Sequence, residues 1–114
     1  MIVVVAKISF PNQAARDRAV ELSAPIQLAT RKQEAGCYSY CFAADPCEPT
    51  SIQVYELWED SDSLVAHFAH PNYHAMVELL SQSGFLESIN RAYLSEHNEP
   101  VYGPDFSIKT KFFS

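Results

Sequence analysis

The chain has 114 residues, 47% of them hydrophobic and 19% charged. That describes one folded domain and excludes a disordered chain, a barrel of eight βα units or a two-lobed enzyme. Eight Lys and Arg stand against fourteen Asp and Glu, a net charge of -6, so neither nucleic acid nor a membrane is expected as a partner.

Residues 2–10 (IVVVAKISF) are β-branched, short and stopped by Pro11, which reads as a strand. Ile2, Val4, Ala6, Ile8 and Phe10 share one face, and Val3, Val5, Lys7 and Ser9 share the other. Residues 12–34 read as a helix capped by Asn12, with Ala15, Ala19, Leu22, Ile26 and Ala29 as its apolar stripe. Pro25 predicts a kink or break near Ser23-Ala24, and Gly36 a C-terminal stop.

Residues 37–44 and 51–59 alternate and are joined by a Pro-containing turn, which predicts an antiparallel hairpin. Tyr38, Tyr40 and Phe42 fall on one side of its first strand. Ile52, Val54, Glu56 and Trp58 fall on one side of its second. A short helix follows at 61–69, capped by Asp60 or Ser61, with Leu64, His67 and Phe68 on one face. His70-Pro71-Asn72 recaps a helix at 73–83 whose stripe is Tyr73, Met76, Val77 and Leu80. Residues 85–89 read as a further turn and 91–98 as the last strand. The end of the chain, 105–113, alternates like a strand without a place in a small sheet.

The order β-α-β-β-α-β defines an α+β, ferredoxin-like split fold: a four-stranded antiparallel sheet with helices on one face. Residues 1–98 form this domain, and 99–114 are a tail that could cover its own protomer, cross to a partner or extend a sheet edge. Six Tyr, seven Phe and one Trp are more aromatic surface than one small core needs. A homodimer with sheets face to face is therefore expected, with Tyr38, Tyr40 and Phe42 at the interface.

The three cysteines, Cys37, Cys41 and Cys47, contain no C-x-x-C. They read as reduced thiols of a cytoplasmic protein, with a Cys41–Cys47 bridge left open by proximity alone. Met1 runs directly into an apolar strand without a basic segment or cleavage site, so no leader is expected.

Glu34-x-Gly36-Cys37-x-x-Tyr40, then Glu56-x-Trp58, then Leu64-x-x-His67 and Pro71-x-Tyr73-His74 form a pattern over about residues 2–97. The pattern resembles the antibiotic biosynthesis monooxygenase (ABM) domain family, the dimeric α+β barrels. The resemblance implies a homodimer with a pocket between sheet and helices in each protomer. It also implies cofactor-independent oxidation, by O2, of a small aromatic substrate of phenol or quinol type. The same family includes an isomerase of a phosphorylated autoinducer-2 signal and members that bind small ligands without catalysis. Its haem-degrading branch fits poorly. Trp58 matches, but the first strand offers Lys7 and Ile8 where an Asn is needed, and Val77 stands where a His is needed.

His67 is the candidate base, because a neutral imidazole accepts a proton near pH 7. Its alternative role is a hydrogen bond tying the short helix to the sheet. Glu56 points inward and needs a partner: Arg31, Arg91, Lys7 or a backbone amide in a purely structural role, or His67 if it orients the base. Tyr73 offers a hydroxyl. Trp58, Phe68 and Met76 are the candidate substrate walls, and Lys7 a candidate cation for an anionic substrate. His67, His70 and His74 are split by Pro71, so no metal site is expected, and the implied reaction needs no cofactor.

Overall fold

A computed structural model describes residues 1–114. Four antiparallel strands, β1 (Ile2–Ser9), β2 (Cys37–Ala44), β3 (Ser51–Trp58) and β4 (Glu87–Leu94), form one sheet in the order β2-β3-β1-β4. Three helices, α1 (Gln13–Gln33), α2 (Ser61–Ala69) and α3 (Pro71–Gln82), lie on one face of the sheet. This is the ferredoxin-like α+β fold. No helix is long and apolar enough to cross a membrane.

The β-branched first strand takes the central position and pairs with β3 and β4 over its whole length. The Asn12 side chain caps α1 through the Ala15 amide, and Asp60 caps α2 through Ser63. Pro71 opens α3, where its missing N–H is harmless, and the His70 imidazole supplies the cap to Asn72. α3 thus starts two residues before the expected position.

α1 departs from expectation in two ways. It runs unbroken through Pro25, because the ring is exposed and Glu21, whose carbonyl loses its donor, is exposed to water as well. Its buried stripe is Arg16, Ala19, Ser23, Gln27 and Thr30, not the apolar set centred on Leu22. These polar groups are all used. The Arg16 guanidinium holds the carbonyls of Asp45, Glu48 and Ser51 and so fixes the β2–β3 turn. Gln27 takes both the N–H and the C=O of Phe42, and Arg31 takes the carbonyl of Tyr40. Side chains of α1 therefore seal the outer edge of β2.

Tyr40 and Phe42 do not form an exposed interface. They point to the helices, 2% and 8% exposed, and join Ile8, Phe10, Ile52, Val54, Trp58 and Met76 in the core. Tyr38 alone is exposed, beside a bulge between Cys37 and Ser39. The open face of the sheet carries Val5, Tyr55, Ile89 and Tyr93, all exposed. β4 lies four residues earlier than expected. Its helix-side positions Ser88, Asn90 and Ala92 border a cavity rather than a core, so hydrophobic alternation does not mark it. The tail forms a short helical turn, Pro104–Phe106, and one isolated bridge, Tyr102 to Ile108, with no strand in the sheet. The three cysteines are free.

Candidate active site

The last residues of α1 and the turn into β2 place the key carboxylate. Glu34 is the C-cap of α1, where a negative charge opposes the helix dipole. Its side chain, 5% exposed, is nonetheless held by two neighbours. His67 Nδ1 lies 2.6 Å from Oε1, and Asn72 Nδ2 donates to Oε2 at 3.2 Å. Gly36, at φ 80°, makes the tight turn, and a Cβ there would collide with the Ser63 side chain. The glycine lets the start of α2 close on the α1–β2 turn, bringing His67 to Glu34.

His67 is 3% exposed and boxed by aromatic rings. Trp58 lies 4.8 Å away between centroids, with Tyr40 and Tyr73 edge-on at 5.3 Å. Burial lowers the imidazole pKa below its ordinary value, and the Glu34 carboxylate opposes that effect. The ring is therefore neutral at pH 7. With Nδ1–H donated to Glu34, Nε2 keeps its lone pair. No protein group bonds Nε2, and no buried side-chain nitrogen or oxygen is left both sealed and unpartnered. Nε2 thus opens into the adjoining cavity.

That cavity holds about 540 Å³ between the sheet and α2–α3. Fourteen of its twenty lining residues are hydrophobic, so it suits an apolar ring more than a sugar or a phosphate. His67, Glu56 and Tyr40 lie at one end, Met76, Val77 and Leu80 form a wall, and Ser88, Asn90 and Arg91 border it on β4. Glu56 accepts the Trp58 indole N–H at 3.0 Å through one oxygen. Burial, reinforced by the nearby Glu34 charge and opposed by the Trp58 bond, pushes its carboxyl up to about 7. A carboxyl in that range can give or take a proton at neutral pH.

Of the residues expected here, His67, Glu56, Tyr73, Phe68 and Met76 come together around the cavity. Two do not. Lys7 projects from the other side of the sheet and pairs with Glu48 at 2.6 Å, because odd-numbered positions of β1 face away from the helices. Trp58 is fully buried behind His67 and does not line the cavity. It supports the imidazole and the Glu56 carboxyl instead. Glu56 does not orient His67; Glu34 does. The chemistry-based reading of the sequence missed Glu34. Its signal was an acid at a helix C-terminus, two residues before a glycine, where the dipole gives it no reason to be. Tyr40 was weighed as a stacking residue but assigned to an interface, because its alternation with Tyr38 implied a shared face; it lines the cavity.

Residues 1–79 match the family model "Antibiotic biosynthesis monooxygenase", and the chain belongs to that family. A curated relative, the uncharacterised protein sll1783 of Synechocystis, is 38% identical over 47 residues, 41% of this chain. The matched part spans about a third of that relative's length, 32%. A candidate antibiotic biosynthesis monooxygenase from Deinococcus radiodurans superposes with TM-score 0.79 at 22% identity, over 90% of this chain and 100% of its own. The monooxygenase from the ActVA-Orf6 gene of Streptomyces coelicolor, in complex with nanaomycin D, gives 0.70 at 21%, over 87% and 90%. SnoaB, a cofactor-independent oxygenase from Streptomyces nogalater, gives 0.65 at 13%, over 87% and 96%. These likenesses carry the fold.

Proposed function

We propose that the protein is a cofactor-independent monooxygenase that oxidises a small aromatic substrate of phenol or hydroquinone type with O2. The observation that carries this reading is the neutral His67 imidazole, anchored by Glu34 and presenting an unpartnered Nε2 to an apolar cavity beside Glu56. Nε2 takes the phenolic proton, and Glu34 stabilises the imidazolium that results. The phenolate is electron-rich enough to pass one electron to O2. The radical pair recombines as a ring hydroperoxide, which loses water to leave a quinone. Glu56 in its acid form supplies the proton for that loss, and Tyr73 and Phe68 hold the ring. The neighbours named a cofactor-independent oxygenase and a nanaomycin-bound monooxygenase support the same chemistry. An isomerase acting on a phosphorylated compound is less well supported: Lys7 stands outside the cavity, which leaves Arg91 at the β4 border as the one Lys or Arg along a mostly apolar lining.

The working unit in this reading is a cytoplasmic homodimer. The accessible surface, 7620 Å², exceeds by roughly 1,300 Å² that of a folded monomer of this mass. A stable pair buries about 800 Å² per partner. The apolar open face, with Val5, Tyr55 and Tyr93, supplies such a surface, and the three free thiols suit a reducing compartment.

The test is O2 uptake with 1-naphthol and with 1,4-dihydroxynaphthalene. His67→Ala is expected to lower turnover by roughly 10²- to 10⁴-fold, with near-ultraviolet circular dichroism unchanged. Undiminished turnover in that variant, or equal conversion under anaerobic conditions, would overturn the proposal.

A further inference from the structure

Tyr40 is 2% exposed. Its partner across the β2–β3 ladder is Glu56, so both side chains rise from the same face of the sheet and line the same cavity. The Tyr40 ring is pinned. Phe42, His67 and Trp58 surround it at 5.1, 5.3 and 6.4 Å between centroids, and Arg31 Nε donates to its backbone carbonyl at 2.7 Å. The hydroxyl has no such hold. No protein group bonds it, and no sealed side-chain oxygen in the chain lacks a partner. Oη therefore opens into the cavity, as His67 Nε2 and the second oxygen of Glu56 do.

These atoms have complementary roles. Nε2 is an acceptor, because the neutral ring gives its one N–H to Glu34. Oη is a donor that keeps its proton: burial, reinforced by the Glu56 and Glu34 charges, pushes the Tyr40 phenol well above its ordinary value. An unbonded hydroxyl adds nothing to the packing that a Phe ring would not supply.

We propose that the Tyr40 hydroxyl is a catalytic donor to an aromatic oxyanion, the phenolate formed when His67 takes the substrate's proton. The O–H bond of the substrate breaks, an N–H bond forms at Nε2, and the electron pair stays on the oxygen. The imidazolium and Tyr40 then both donate to that oxygen, and Tyr40 keeps its own proton throughout. A hydrogen bond to the phenolate is stronger than one to the neutral phenol, so it favours proton transfer as well as binding. The ligand class is a small aromatic ring bearing an ionisable hydroxyl. This inference rests on the base role of His67 proposed above, not on the reaction with O2.

The test is anaerobic titration of wild type and Tyr40→Phe with 4-nitrophenol, whose anion is coloured, and with nitrobenzene, which lacks the hydroxyl. The variant loses one oxygen and keeps the ring, so its urea midpoint should match or exceed that of wild type. It should bind 4-nitrophenol about tenfold more weakly, carry a smaller fraction of it as the anion, and bind nitrobenzene equally. Its kcat/KM for 1,4-dihydroxynaphthalene should fall by roughly 10²-fold, mostly in kcat. Equal affinity for 4-nitrophenol, or an equal weakening toward nitrobenzene, would overturn the donor role. Absence of O2 uptake by wild type, with the tenfold binding difference intact, would overturn the oxidation and uphold the oxyanion site.

Discussion

The α2 side and the β4 side of the cavity are built to different standards. On the α2 side Glu34, Glu56 and His67 are nearly sealed from water, and each polar atom is either bonded or opens into the cavity. On the β4 side every residue of the strand is exposed, and Phe106, Ile108 and Phe113 of the C-terminal segment are exposed as well. Burying three titratable groups requires a rigid, finished surround. Admitting a bulky substrate requires the opposite. The protomer is finished around its buried titratable groups and open along β4.

Three substitutions break or sharpen this contrast. The largest effect is expected from Glu34→Gln, which keeps an acceptor for Nδ1–H and removes the charge. Turnover should fall by roughly ten- to a hundredfold. Because the Glu34 carboxylate raises the pKa of both His67 and Glu56, both titrations should move to lower pH. Rate profiles and NMR titration measure this, and unmoved titrations would remove Glu34 from the machinery.

Glu56→Gln comes next, and it acts on stability. The native carboxyl titrates at about 7 against an ordinary 4.5, so between those values the folded state holds more protons than the unfolded one. The associated stability is fully present below pH 4.5 and lost as pH rises through 7. The amide variant should therefore unfold at higher urea than wild type at pH 8, by about 1–3 kcal/mol, and show little difference at pH 4. His67, whose native pKa is depressed, works in the other direction: its stability is present above 6.5 and lost as pH falls. The two slopes oppose each other as pH falls below 6.5, and Glu56→Gln should unmask the histidine's acid limb.

The smallest effect belongs to Lys7→Met. The Lys7–Glu48 pair lies on the far side of the sheet, with side chains 40% and 50% exposed. Unchanged kcat/KM is expected. A loss would mean that the open face reaches the site through the partner.

Much of this architecture was legible from periodicity. The β-branched run of β1, the Asn12 and Asp60 caps and the glycine stop after α1 all act through local backbone chemistry, and they appear where the residues put them. Two of the misread elements, the stripe of α1 and the position of β4, share one cause: polar side chains turned inward. Arg16, Ser23 and Gln27 face the sheet, so the buried stripe of α1 does not look apolar. Ser88 and Asn90 face a cavity, so β4 does not alternate as a core strand does. His67 was legible because its helical offset points it beside Leu64. Glu34 was not, since only the folded turn at Gly36 brings it 2.6 Å from a residue thirty-three positions away.

The sealing of β2 by Gln27 and Arg31 has a consequence for assembly size. Exposed strand edges invite open-ended polymerisation when both sides of a sheet are free. Here α1 occupies one ladder and leaves only the outer ladder of β4. A sheet with one available edge can acquire one neighbour through its backbone and then has none left to offer. Growth by strand addition therefore stops at a pair, which protects a chain with this much exposed aromatic surface from fibre formation.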